Sequence, residues 1–387
     1  MGFRMKCFSD CSGHGVCVDS LCKCDQGWSG YDCSDPAGFM YVVSPHAALG
    51  LARMRAKHTG SDPSYHSEYA FFERLMQDGA IRTTRPCDAS LVYVPTWIYY
   101  QVNNVAFATE HQRVLDSFLR RTDEVYAKTP TERRVFFFSG DKGACGASPG
   151  PIYISHWGLR VPWDSMVETD KFHPTGKTDH PTRYVPCADE RHIVVPMVLW
   201  MRKKKPTETP ASYSCDLFFS GSITRGPLYS QGIRRRVYER WKDEPRMCLV
   251  NGRAPQSYFT TSRFCLAASG DGFGNRLFQS VSHGCLPLIM QPNVTLPYEE
   301  LIPYKEFSLH LRGEDIEDLP RLISEVTPHQ HARMRQRLFH WRPAFDWRRS
   351  GQAYTFLRYA LCLRAGVAHC ASLVPDLLRV NASASRP

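Results

Sequence analysis

No run of about 18 apolar residues occurs in the sequence, so nothing in it reads as a membrane-spanning helix. Met1 to Lys6 is too short and too polar for a signal peptide. Internal repeats and low-complexity tracts are lacking, which excludes solenoid and fibrous architectures. There is no Asp-x-Asp triplet, a spacing that holds a metal ion against a diphosphate. A basic and aromatic motif of RNA-binding type is also missing, so positive charge alone does not indicate nucleic acid.

At 387 residues the chain is too long for one ordinary core and suits two or three domains. Hydrophobic residues make up 43% and charged residues 22%, the balance of a soluble globular protein. The formal net charge of +10 favours an anionic partner, such as an acidic glycan, a membrane surface or a nucleotide. The densest basic runs are Arg202-Lys203-Lys204-Lys205, beside Pro206, and Arg234-Arg235-Arg236, in a helical stretch. Both read as solvated surface.

Cysteine is concentrated at the start. Cys7, Cys11, Cys17, Cys22, Cys24 and Cys33 fall where too little apolar surface exists for a core, so cross-links must substitute for one. Spacing alone leaves their pairing open. A single zinc site would not use six cysteines. The run Ser12-Gly13-His14-Gly15-Val16-Cys17 and the closing Gly27-Trp28-Ser29-Gly30-Tyr31-Asp32-Cys33 resemble an EGF-like repeat. That resemblance implies the pairs Cys7–Cys17, Cys11–Cys22 and Cys24–Cys33, without calcium, in a module serving as a spacer or a protein-binding knob. Disulfides require an oxidising compartment. This conflicts with the lack of a leader in the sequence shown, a conflict resolved if a targeting segment lies outside it.

Beyond Pro36 the pattern alternates strand and helix. Leu91-Val92-Tyr93-Val94-Pro95, Arg134-Val135-Phe136-Phe137-Phe138 and Arg191-His192-Ile193-Val194-Val195-Pro196 read as buried parallel strands. Residues 111–127 have helical spacing through Val114, Phe118 and Val125. A second series begins near Cys215, with strands at 217–221, 247–250, 264–267 and 285–290 and helices at 233–241 and 277–282. Residues 201–211 read as a linker. Between 269 and 274 a glycine-rich loop opens a helix, a junction whose free N–H groups suit a diphosphate.

The order of parts carries a second resemblance. Ser262-Arg263-Phe264-Cys265-Leu266, Gly274-Asn275-Arg276-Leu277-Phe278, Gly284-Cys285-Leu286-Pro287-Leu288-Ile289 and Leu296-Pro297-Tyr298-Glu299 resemble the signature of the exostosin family, glycosyltransferase family 47. Looser matches are Asp88 to Pro95, Arg191 to Pro196 and Cys215 to Arg225. The resemblance implies an α/β fold with two Rossmann-like domains facing a cleft (GT-B type), preceded by the EGF-like module. The expected divisions are 1–34 for the module, 36–200 for the acceptor-side domain and 212–387 for the nucleotide-sugar domain. It implies an inverting transferase moving sugar from a nucleotide-sugar, a UDP-sugar, to a glycan in the Golgi or another secretory compartment.

Site residues follow from the same matches. Arg276, at the mouth of the loop carrying Gly270, Gly272, Gly274 and Asn275, is assigned to the donor diphosphate, with Arg225 in support. Glu299 is assigned to donor hydroxyls. Inversion requires a base on the acceptor hydroxyl. Asp141, in Phe138-Ser139-Gly140-Asp141, is the first candidate and His156 the second; Trp157 could stack on a sugar ring. No obligatory metal or other cofactor is expected, because arginines and backbone amides can hold the leaving group. The expected partners are the nucleotide-sugar, a glycan acceptor and a protein partner for the EGF-like module; a membrane would be met only through a segment outside the sequence shown. Gln279-Ser280 departs from the family's acidic-Ala pair. The competing reading is therefore an inactive exostosin-like adhesion or glycan-binding protein, and turnover of a nucleotide-sugar discriminates. Asn293 and Asn381 begin N-glycosylation triplets in form.

Overall fold

Runs of β-branched and aromatic residues form two parallel sheets in the computed structural model. It describes residues 7–19, 21–25, 27–43, 63–97, 108–141, 143–145, 147–160, 163–164, 183–184, 189–198, 212–223, 229–270 and 272–379. The first sheet contains β1 (Met40–Val42), β2 (Arg82–Thr83), β3 (Leu91–Val94), β4 (Arg134–Phe138), β5 (Ile152–Ser155) and β6 (Ile193–Val194). Their order is β6-β5-β4-β3-β1-β2, and every pairing is parallel. Every residue of β3, β4 and β5 is buried, as a sheet covered on both faces requires.

The second sheet contains β7 (Cys215–Gly221), β8 (Met247–Asn251), β9 (Ser262–Ala267), β10 (Leu286–Ile289) and β11 (Leu309–His310). It is also wholly parallel, in the order β8-β7-β9-β10-β11. Two disulfides tie its strands and the turns beside them, Cys215–Cys248 and Cys265–Cys285. In both sheets, loops leaving the carboxyl ends of strands meet across a cleft, the arrangement of a GT-B fold.

The sheets are joined along a seam. Gly158–Leu159, just past β5, pairs antiparallel with Val294–Thr295, just past β10. A side chain at Gly158 would meet Val194 at 2.6 Å and Thr295 at 2.8 Å, so only glycine fits. Across the same seam the Tyr298 N–H donates to the Val194 carbonyl (2.9 Å) and the Trp347 indole to the Pro196 carbonyl (2.6 Å). The helix Ala353–Ala365 then returns to the first sheet, where the Tyr354 hydroxyl donates to Asp78 (2.9 Å). One apolar cluster consequently runs through both halves.

The helix expected at 111–127 is two: α2, Ala108–Thr122, and a short helix Glu124–Lys128. Asp123 breaks them apart by capping the second, its carboxylate accepting from the Tyr126 N–H at 2.9 Å. The expected face is also corrected. Val114 is 68% exposed, while Leu115, Leu119 and Tyr126 enter the core.

The N-terminal module is a hairpin of Gly15–Val18 and Leu21–Cys24 with disulfides Cys7–Cys17, Cys11–Cys22 and Cys24–Cys33, the pairing implied by the EGF resemblance. Its last strand, Asp35–Pro36, pairs with Trp28–Ser29. The module rests on the body through Trp28, whose ring lies 6.2 Å from that of His369. Arg202 to Lys205 and the expected linker lie outside the described residues.

Candidate active site

Strand β7 ends at Gly221, where an added Cβ would lie 3.1 Å from Nη2 of Arg276. The missing side chain gives the guanidinium room to lie across the strand end, 5.9 Å from the centre of the Phe219 ring. Arg276 opens helix α4 (Arg276–His283). Its Nη1 donates to Asn275 Oδ1 (3.1 Å) and to Gln279 Oε1, one turn on. Its Nε is buried without a partner, and among the described residues no carboxylate pairs with it. Burial, then the charge of Arg234, pushes its pKa down to about 10.

Arg234 belongs to α3 (Ile233–Trp241), and sequence reasoning had placed it on the surface. It is only 5% exposed. Its guanidinium donates to the Tyr229 hydroxyl (3.0 Å) and to the Ala268 carbonyl (3.0 Å), and lies 5.3 Å from the Phe219 ring that Arg276 also covers. Gly270 completes the seat; a Cβ there would be 3.4 Å from the Tyr229 hydroxyl and 3.7 Å from Arg234 Nη2. Two guanidiniums thus converge where the glycine-rich loop enters a helix, a geometry that gathers donors for an anion. The signal for Arg234 was its phase: with Ile233, Val237 and Trp241 it lies on the buried face of α3.

The opposite wall of the cleft follows β4 and β5. Asp141 accepts a hydrogen bond from the Tyr65 hydroxyl (2.7 Å). Its carbonyl accepts from the Phe273 N–H (3.2 Å), so it touches the glycine-rich loop of the other domain. Gly272, at φ +118°, is required there because a Cβ would fall 2.1 Å from that carbonyl. The structure therefore brings together Asp141, Gly270, Gly272 and Arg276 on the two sides of one cleft.

His156 is buried, with both nitrogens engaged. Nδ1 contacts the Val195 carbonyl at 3.0 Å and so carries the proton; Nε2 then accepts from the Ser67 hydroxyl at 2.7 Å. Burial pushes its pKa down to about 4. Because the folded value lies below the unfolded one near 6.5, this contribution is intact above pH 6.5 and is lost as pH falls through 4. Its full size is on the order of 3 kcal/mol. A His156→Gln variant should accordingly show a shallower fall of the urea midpoint between pH 6.5 and 4 than the parent. Equal slopes would show that His156 is not held neutral.

Beside Ser67 on α1 (Ser67–Leu75) stands Glu68, which sequence reasoning missed. Its Oε1 accepts from the N–H groups of Thr96 (2.7 Å) and Trp97 (2.9 Å), while Oε2 is buried without a partner among the described residues. Burial pushes its pKa up to about 7. This carboxyl clamps the turn after β3, where Trp97 takes φ +51°. Its phase with Phe71 and Leu75, on the buried face of α1, was the available signal.

Glu299 forms an ion pair across the seam with Arg160 (2.5 Å) and accepts from the Leu296 N–H (3.0 Å); among the described residues neither Arg276 nor Arg234 is its partner. Trp157 is 1% exposed in a core with Leu159 and Val294, so it cannot stack on a ligand as the structure stands. Arg225 and Asn381 lie outside the described residues. Asn293 is exposed beside the seam.

The exostosin GT47 domain model matches residues 31–326, more than half of the chain. The chain belongs to the exostosin GT47 family. A teneurin-like EGF domain model matches residues 7–36. Among curated relatives, a rice protein named probable glucuronosyltransferase GUT1 is 26% identical over 273 residues, covering 66% of this chain and 63% of its own length. An Arabidopsis protein named probable beta-1,4-xylosyltransferase IRX10L is 24% identical over 275 residues, covering 67% and 64% respectively. The chain thus spans somewhat under two thirds of the length of these relatives. A solved structure of S. aureus TarM with fondaparinux, alpha-GlcNAc-glycerol and UDP shares 8% identity, covers 66% of this chain and 59% of that one, and superposes with a TM-score of 0.32.

Against the exostosin pattern, Gln279 stands where an acidic residue is usual. Its amide oxygen still accepts from Arg276, so the arginine is held in place without being neutralised.

Proposed function

We propose that this exostosin-family chain transfers a sugar from a UDP-sugar to a glycan acceptor with inversion, within the secretory pathway. The observation that carries this reading is the pair Arg276 and Arg234 over Phe219 at the mouth of the glycine-rich loop. A diphosphate there would meet two fixed cations and the amides of the loop. As the sugar–phosphate bond breaks, charge accumulates on that group, and preorganised donors gain strength. Asp141, held by Tyr65 on the facing wall, is the proposed base for the acceptor hydroxyl. His156, with its lone pair engaged by Ser67, supports the wall instead. The relatives' names, glucuronosyl- and xylosyltransferase, favour sugar transfer in glycan synthesis. Disulfides in the module and the body favour an oxidising lumen.

The proposal needs no metal, because arginines meet the leaving charge. UDP should therefore raise the melting temperature with EDTA present. At 100 times its dissociation constant a ligand adds roughly 2.7 kcal/mol, an easily measured shift. A UDP shift that appears only with Mn²⁺ would overturn this reading of the donor site.

A further inference from the structure

A second cationic site lies at the other end of the first sheet. Arg133, Arg191 and Arg364 line a cavity of about 340 Å³ with Ser90, Leu91 and Glu132. Ser90 directly precedes β3, Arg133 directly precedes β4 and Arg191 stands two residues before β6. The cavity is thus at the amino edge of the sheet, whereas the active-site cleft is at the carboxyl edge. Strand β4, five residues long, separates the two edges by about 16 Å.

The guanidiniums of Arg133 and Arg191 are fixed without being neutralised. Arg133 donates from Nε to the Ser90 carbonyl (2.9 Å) and from Nη2 to the Ala89 carbonyl. Arg191 donates from Nη1 to the Gly150 carbonyl (2.9 Å) and from Nη2 to the Glu132 carbonyl. Neither has a carboxylate partner among the described residues. Arg364 packs beside them, its Nε donating to the Arg191 carbonyl (3.3 Å) and its Nη2 pairing with Glu300 (2.9 Å). Three half-buried cations therefore face one space, against the carboxylate of Glu132 on its rim and that of Glu300 behind Arg364.

The adjoining seam cavity, of about 460 Å³, gives the contrast. It shares Arg364, but Glu299 pairs with Arg160 there and Asp189 with His192. That cavity is net acidic, with Asp189, Glu190, Glu299 and Glu300 against Arg160 and Arg364. The smaller one is net basic, and crowded like charges repel until an anion joins them.

We propose that the smaller cavity binds a carboxylate of a uronate-containing glycan, anchoring it at a distance from the cleft. Planar guanidinium forks held by backbone carbonyls match a carboxylate's two oxygens. The inference rests on the reading that the acceptor is a glycan, and adds that an acidic one is held on the first domain.

Calorimetry on the full chain with hexagalacturonate tests it, with maltohexaose and inorganic sulfate as comparison ligands and UDP titrated separately. Hexagalacturonate should bind, and Arg133→Gln and Arg191→Gln should each weaken it about tenfold. Glu132→Gln, at an exposed position, should tighten it about threefold, and all three variants should keep the parent's UDP affinity. Equal binding of maltohexaose would overturn the site, as would affinity unchanged in Glu132→Gln. Sulfate binding as tightly as the oligomer would also overturn it, marking a free-anion site. Should UDP fail to bind while this mutational pattern holds, the anchoring site stands and the donor-site reading falls.

Discussion

Arg276→Ala should lower kcat by about 10²-fold or more and leave the melting temperature unchanged or slightly raised. The two parts of this expectation have one cause. In the folded protein the guanidinium is bonded to Asn275 and Gln279, while its Nε is buried and has no partner among the described residues. Burial and the neighbouring charge of Arg234 disfavour its charged form. Removing it therefore relieves a cost in the empty protein. Its favourable interaction arises when a diphosphate arrives and strengthens as the leaving charge grows. Arg276→Lys should recover activity only in part, since a point charge replaces a planar fork. Kinetics and melting curves on the same two variants check this. A strongly destabilised Arg276→Ala, or a fully active one, would show that the arginine serves the fold.

Asp141→Asn should lower kcat by about 10³-fold while leaving UDP affinity near that of the parent. The substitution keeps the shape and an acceptor for the Tyr65 hydroxyl but removes the ability to take a proton. The Asp141 carbonyl, which receives the Phe273 N–H, is untouched, so contact between the two domains should persist. A parallel rise in the dissociation constant of UDP would instead mean that Asp141 shapes the donor loop. Unchanged turnover would show that another residue is the base.

The parts of this site that were legible in the sequence are those whose local chemistry forces a local geometry. A glycine-rich loop opening a helix fixes where free N–H groups point, so Arg276 could be placed at its mouth before any fold was known. Strand runs such as Arg134 to Phe138 were legible because apolar residues on both faces leave a covered parallel sheet as the natural solution. Arg234 was not, because a run of three arginines looks like surface; only its phase with Val237 and Trp241 separates it from Arg235 and Arg236. The register of α2 failed for a related reason. Val114 and Phe118 have helical spacing, but so do Leu115 and Leu119; packing against β4 and β5 buried Leu115 and Leu119, kept Phe118 partly buried against the same cluster and turned Val114 out.

Glu299 illustrates a different limit. Its place after Leu296-Pro297-Tyr298 puts it near a strand end, but the neighbour across the seam, Arg160, is 139 residues away in sequence. The disulfides Cys215–Cys248 and Cys265–Cys285 were hidden in the same way, since pairing them requires the order of strands. Such contacts come from tertiary arrangement, which local patterns do not encode.

The most direct measurement is a crystal structure of the chain with UDP in EDTA-containing buffer. The expected result is a diphosphate within hydrogen-bond reach of the guanidiniums of Arg276 and Arg234 and of the loop amides near Gly270 and Gly272. UDP seated instead in the seam cavity beside Glu299 and Arg160, with the arginine pair over Phe219 empty, would contradict the assignment of the donor site.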